Sequence, residues 1–304
     1  MNSNFIINGE NIIIDGWGGH KVYNINNKTL TIQRPYGLFS NINVTLYTLF
    51  LLEQSNYEVS EIILLLDEYE TNKNYYPLLF DNIQNNLSFD DITSEDLNKF
   101  YKNTPGYVGL GLDINSINKN SLEEINIKIG NRLIKKYFNS SKIVNDTSKK
   151  LMEKYNLIDQ EYVFLWARNT DRVFEVPTPT VEKYYNILES NGLINNKIVI
   201  QTDDLDILNG FKQTNLDFIV INEIPFSNNG SFHVGMRDIS QNDFIQEFNI
   251  TKDEYLILIM SLVDIASKSK KCIIYPGNLS TYIPMYKNSV DDCIVFTGDN
   301  GILI

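Results

Sequence analysis

Two rhythms of hydrophobic and polar positions run along the chain, and each predicts its own elements. Residues 5–7 and 11–14 read as short, largely apolar strands on either side of an Asn8-Gly9 pair that turns tightly between them, and 29–33 is a further strand candidate. After Ser40 the run INVTLYTLFLLEQ is apolar round most of a helical circumference. It predicts a helix of about four turns, buried between layers and N-capped by Ser40. Residues 61–66 read as a buried parallel strand with Asp67 and Glu68 at its carboxyl end. From Ser121 the period lengthens: Leu122, Ile125, Ile129, Leu133 and Tyr137 recur every three or four residues, and Lys135 and Lys136 sit where cations suit the helix dipole. Residues 148–155 predict another helix.

Beyond Tyr162 strand and helix alternate. Residues 162–167 are apolar, and Thr178 is placed to cap a helix with Pro179 in its first position. Val181, Tyr184, Tyr185 and Leu188 form that helix's apolar face and Gly192 stops it. Strands over 197–201, 218–221 and 271–275 are separated by a helix over 205–211 and by one that Thr251 and Glu254 open as a capping box. Alternation of this kind predicts a parallel sheet. The expected fold is α/β, two Rossmann-like domains facing a central cleft, over residues 1–150 and 151–304.

Charge and composition narrow the function. A formal net charge of -12, with no basic stripe interleaved with aromatics, argues against a nucleic-acid partner. No apolar stretch reaches the roughly 18 residues of a membrane span, and the start lacks the basic, apolar pattern of a leader, so a soluble cytoplasmic protein is expected. Cys272 and Cys293 lack metal-ligand spacing and read as core thiols. There is no G-x-S-x-G elbow, no G-x-G-x-x-G after a first strand and no H-E-x-x-H, and the only histidines are His20 and His233.

Polar residues collect instead at three strand ends, over 168–172, 202–204 and 278–281. Carboxyl ends of parallel strands meet on one sheet edge, where ligands bind. The planar fork of Arg168 suits a phosphate, with Thr170 and Asp171 fixing the loop; a loop salt bridge between Arg168 and Asp171 explains the same residues. Gly37, leading into the helix at Ser40, fits either an anion or sugar site built from backbone N–H groups or an ordinary capped core helix.

The segments VFLWARNTDR, VIQTDD and YLILIMSLVDIASKSKKCIIYPGNLST resemble the three successive motifs of the α-1,6-type and related fucosyltransferases, GT-B enzymes that use GDP-fucose. The first family motif runs roughly His-x-Arg-Arg-x-Asp-Lys. Arg168 stands at its first arginine, which grips the donor's β-phosphate, while Trp166 replaces the histidine and Asn169 the second arginine. By the same resemblance Thr202, Asp203 and Asp204 help hold the guanosine portion, and Ser280 and Thr281 approximate a serine pair at the diphosphate. His233 and Arg237 match a His/Arg segment, and Gly37 and Ser40 match a glycine turn on the acceptor side. The resemblance implies inverting, metal-independent transfer to a glycan hydroxyl, with no cofactor beyond the nucleotide sugar. Glu175 falls at the family's glutamate if one residue is deleted, and Asp171, Asp67 and Asp15 are alternative bases. Another nucleotide sugar, a binding protein without turnover, and a homodimer remain open.

Overall fold

The computed structural model describes residues 5–14, 20–33, 38–66, 69–70, 72–84, 87, 124–167, 179–202, 204–225, 241–275, 278–297 and 301–302. The chain divides into two compact units, Met1–Ile143 and Val144–Ile304, each with its own sheet. Among the described residues no helix is long and apolar enough to cross a membrane.

The first unit carries a five-stranded sheet in the order β1-β2-β3-β4-β5, formed by Phe5–Asn8, Asn11–Ile14, His20–Asn24, Thr29–Gln33 and Glu61–Leu65. Strands β1 to β4 form an antiparallel meander. The first hairpin pairs Asn8 with Asn11, and Gly9 turns it at φ +60, a conformation that suits glycine. Strand β5 is parallel to β4, which requires a crossover, and helix α1 (Leu38–Gln54) supplies it. Ile42, Leu46, Leu49 and Leu52 of α1 are buried together with Leu30, Ile32, Ile62 and Leu64 of the two strands. Ser40 does not cap α1. The helix already begins at Leu38, because Leu38 and Phe39 are apolar enough to be buried with its first turn. Helices α2 (Tyr76–Leu79) and α3 (Glu124–Tyr137) complete the described part of this unit. Its sheet is therefore mixed, with one parallel β–α–β unit at the edge of a meander.

Helix α4 (Lys142–Lys154) begins at Lys142, not at Ser148, and the division between the units falls in its first turn. The second sheet comprises β6 (Tyr162–Ala167), β7 (Lys197–Thr202), β8 (Phe218–Ile219), β9 (Lys271–Ile274), β10 (Cys293–Thr297) and β11 (Gly301–Ile302). Their order is β11-β10-β9-β6-β7-β8, all parallel except the β10–β11 pair. Counted from β6 this is the 3-2-1-4-5 arrangement of a doubly wound sheet, closed by an antiparallel edge strand. The connecting helices are α5 (Val181–Ser190), α6 (Leu205–Lys212), α7 (Gln241–Phe248), α8 (Lys252–Lys268) and α9 (Asn278–Lys287).

Every residue of β6 is buried, as expected of a central parallel strand covered on both faces. Val163, Leu165 and Ala167 pack with Ile198 and Ile200 against Tyr184, Leu188 and Phe211 of α5 and α6. Gly210 of α6 is small by necessity, since a Cβ there would lie 2.6 Å from Cγ2 of Val181. The opposite face of the strands lies toward α8, because the Tyr162 hydroxyl donates to the Ile265 carbonyl at 2.5 Å. Lys287 at the end of α9 donates to the Ser267 and Ser269 carbonyls at 2.7 and 2.6 Å, which fastens α9 beside α8. Helix α5 is capped by Thr180, whose side chain accepts from the Lys183 N–H, and not by Thr178; Pro179 precedes the cap. Strand β8 is shorter than the 218–221 run, with only Phe218 and Ile219 in the ladder.

Candidate functional site

The chain leaves β6 through α5 to β7 on one side and returns through α8 to β9 on the other, so strand order reverses between β6 and β9. Such a switch point opens a crevice at the carboxyl edge, where ligands of open α/β sheets bind. The three strands end nearly level. Ala167 pairs with Thr202 and Trp166 with Ile274, and the Tyr275 N–H reaches the Trp166 carbonyl at 3.4 Å. The segments 168–172, 202–204 and 278–281 thus follow or close three neighbouring parallel strands.

Of the residues that the sequence nominates, Arg168, Asp171, Glu175, Asp203, His233, Arg237 and Gly37 lie outside the described residues, as do Asp15 and Asp67. Ser40 lies in the first turn of α1, in the other unit. Thr202 and Asp204 are both buried and both shape the turn from β7 into α6. The Thr202 hydroxyl accepts from the Asp204 N–H at 3.1 Å, and the Asp204 carboxylate caps α6 by accepting from the Asp206 N–H at 2.8 Å. Thr202 and Asp204 therefore have a local task in addition to any contact with a ligand. Ser280 and Thr281 do not occupy a strand-end loop. They belong to the first turn and a half of α9, which begins at Asn278, and Thr281 is buried. No acidic residue occupies the first turn of α9, so its N–H groups and dipole present a positive field at the switch point.

Sequence reasoning missed Gln201. It is the penultimate residue of β7, 2% exposed, and among the described residues neither atom of its amide has a hydrogen-bond partner. Register places it beside Trp166, which lies beside Ile274, so the row spans the three strands on the α8 face. The available signal was one amide at the end of the apolar run IVI.

Among the described residues, the two cysteines of this unit are unsuited to nucleophilic catalysis near neutrality. Burial pushes the Cys293 thiol up to about 12, and burial with the neighbouring Cys293 raises Cys272 well above its usual range, so neither supplies a thiolate near neutrality. An open groove of about 800 Å³ is lined by Asp146, Lys149, Met152, Glu153, Leu157 and Lys268, among others. It lies at the amino ends of β6 and β9, where Gln160 N–H bonds the Lys268 carbonyl at 2.9 Å, away from the switch point. Lys268 is already bound to Asp264 at 2.5 Å.

Comparison with protein-family models finds no match, and comparison with curated protein sequences finds none either.

Proposed function

We propose that the chain is a glycosyltransferase of GT-B type that moves a sugar, fucose from GDP-fucose, to a glycan hydroxyl with inversion and without a metal ion. The observation that supports this reading is the level ending of β6, β7 and β9 at a switch point, with the three motif-like segments attached there. Arg168 is the next residue after the central strand. In this reading its fork holds the β-phosphate, and Arg237 and the first-turn N–H groups of α9 share the charge of the departing nucleoside diphosphate. Glu175 takes the acceptor's proton as that oxygen attacks C1, and the C1–phosphate oxygen bond breaks toward GDP. Asp171 is the alternative base.

Incubation with a panel of GDP- and UDP-sugars and glycan acceptors, scored for hydrolysis and transfer, tests the proposal. Turnover of GDP-fucose is expected, falling about 10²- to 10³-fold in Arg168→Lys, which keeps the charge and loses the fork. Turnover of a different donor would overturn the GDP-fucose assignment. Binding of a nucleotide with no turnover of any donor would make the chain a binding protein, and an unchanged Arg168→Lys rate would remove Arg168 from the site.

A further inference from the structure

A buried amide with both halves unpaired is destabilising, and a Leu or Met would fill the same space without that penalty. Gln201 is such an amide. Its place is specific as well, on the last level but one of β7 and in the row Gln201–Trp166–Ile274 across the switch point. On the opposite face of the same strand end, Thr202 and Asp204 are occupied with the turn into α6. Gln201 has no such local bond.

We propose that Gln201 reads the nucleobase of a nucleotide held at the carboxyl edge of this sheet, with Trp166 offering a flat apolar surface beside it. An amide presents an acceptor and a donor side by side. That pair complements a base edge on which N–H and C=O, or NH₂ and ring nitrogen, are neighbours. A phosphate offers acceptors alone and matches the N–H groups of α9 instead. A single sugar hydroxyl would engage the amide one half at a time. Gln201 stands one residue short of the strand end, on the side from which a ligand at the carboxyl edge would approach. This inference rests on the proposed nucleotide site, though not on sugar transfer.

Calorimetric titration of GDP, UDP, ADP and inorganic pyrophosphate into the full chain and into Gln201→Met tests it. The parent should prefer one base. Gln201→Met should bind that nucleotide about 10- to 100-fold more weakly, the loss of two hydrogen bonds, while pyrophosphate binding stays the same. Its melting temperature without ligand should equal or exceed the parent's, because no bond within the protein is lost. Gln201→Leu provides a second variant should the thioether pack poorly. Equal nucleotide affinities in parent and folded variants would overturn the role of Gln201 and leave the nucleotide site standing. A parent that binds no nucleotide would overturn both readings. A parent that binds a nucleotide through Gln201 yet transfers no sugar would overturn the transferase alone.

Discussion

In the first unit β1 to β4 run antiparallel, whereas β6 to β10 of the second run parallel. An antiparallel meander divides its strand ends between two edges, so polar residues after successive strands are separated. A parallel sheet brings all its carboxyl ends to one edge, and a reversal of strand order opens a crevice among them. That difference is why the candidate site belongs to the second sheet. In both units a carboxylate fastens one helix to another, but its lysine partner comes from the other helix only in the first. In the first, the Glu53 carboxylate of α1 accepts from Lys136 at 2.5 Å and from the Tyr137 hydroxyl, both on α3. In the second, the Asp264 carboxylate of α8 accepts from Lys268 at 2.5 Å and from the Ser148 hydroxyl of α4.

The largest expected effect separates these two clamps. The Lys136 side chain is 11% exposed and that of Lys268 is 37% exposed. Removal of Glu53 leaves a buried ammonium and a buried phenol without their acceptor, and Glu53→Ala should destabilise the first unit by about 3 kcal/mol or more. Removal of Asp264 frees a lysine that water can reach, so Asp264→Ala should cost the second unit about 1–2 kcal/mol, mainly through the orphaned Ser148 hydroxyl. Hydrogen exchange along α1 and α3 in one variant, and α4 and α8 in the other, gives the two numbers. Equal losses would mean that burial of the lysine does not decide the strength of the clamp.

A smaller contrast appears in alkaline solution. Unfolded thiols ionise near about pH 8.5, whereas burial keeps Cys272 and Cys293 protonated beyond that, to about 12 for Cys293. Lys287 and Lys271 pull Cys293 downward and Asp292 pushes it up, but burial dominates. Their stabilising contribution is therefore complete below about pH 8.5 and is lost as pH rises. The unfolded state sheds its protons first, at a slope of about 1.4 kcal/mol per pH unit for each fully ionised thiol. Among the described residues of the first unit the raised groups are the phenols of Tyr23, Tyr76 and Tyr137, each chiefly through burial, and unfolded phenols ionise only near about pH 10. The second unit should weaken first between pH 8.5 and 9.5. Replacing both cysteines with alanine should flatten its slope whatever the cavities do to its height, and a parent whose two units decline together would remove the thiols as the cause.

The second unit was also the more legible in sequence. Parallel strands buried on both faces give unbroken apolar runs, and Gly192 after α5, at φ +67, marked a helix end that the structure contains. In the first unit the Asn8-Gly9 turn marked the first hairpin, but the later short runs carried no sign of direction, so the rest of the meander was not foreseen. Two threonines flank Pro179, and only three-dimensional geometry selects Thr180 as the cap. Ser40 had the right chemistry for a cap, yet burial of Leu38 and Phe39 begins the helix earlier. At the site, the level ending of β6, β7 and β9 followed from the parallel pattern. The partnerless amide of Gln201 did not, because hydrogen-bond satisfaction depends on neighbours that the linear order does not name.

The smallest effect concerns a feature read directly from sequence. Thr251 Oγ1 accepts from the Glu254 N–H at 3.1 Å, and the Glu254 carboxylate accepts from the Thr251 N–H at 2.7 Å, so both halves of the capping box are present. Ile265, near the other end of α8, is bonded by Tyr162 at the amino end of β6, and α8 therefore starts toward the carboxyl edge. A frayed start would loosen the end of α8 that lies toward the candidate site. Thr251→Ala should cost about 1 kcal/mol, while Thr251→Ser, which keeps the accepting oxygen, should cost a few tenths at most. Exchange should quicken over the first turn of α8 and stay unchanged over Leu262 to Lys268, since Tyr255, Leu256, Met260 and Leu262 remain buried and hold the rest of the helix. An equal loss in the serine variant would assign the effect to the lost methyl group, and quickened exchange throughout α8 would show that the box holds the whole helix and not its first turn.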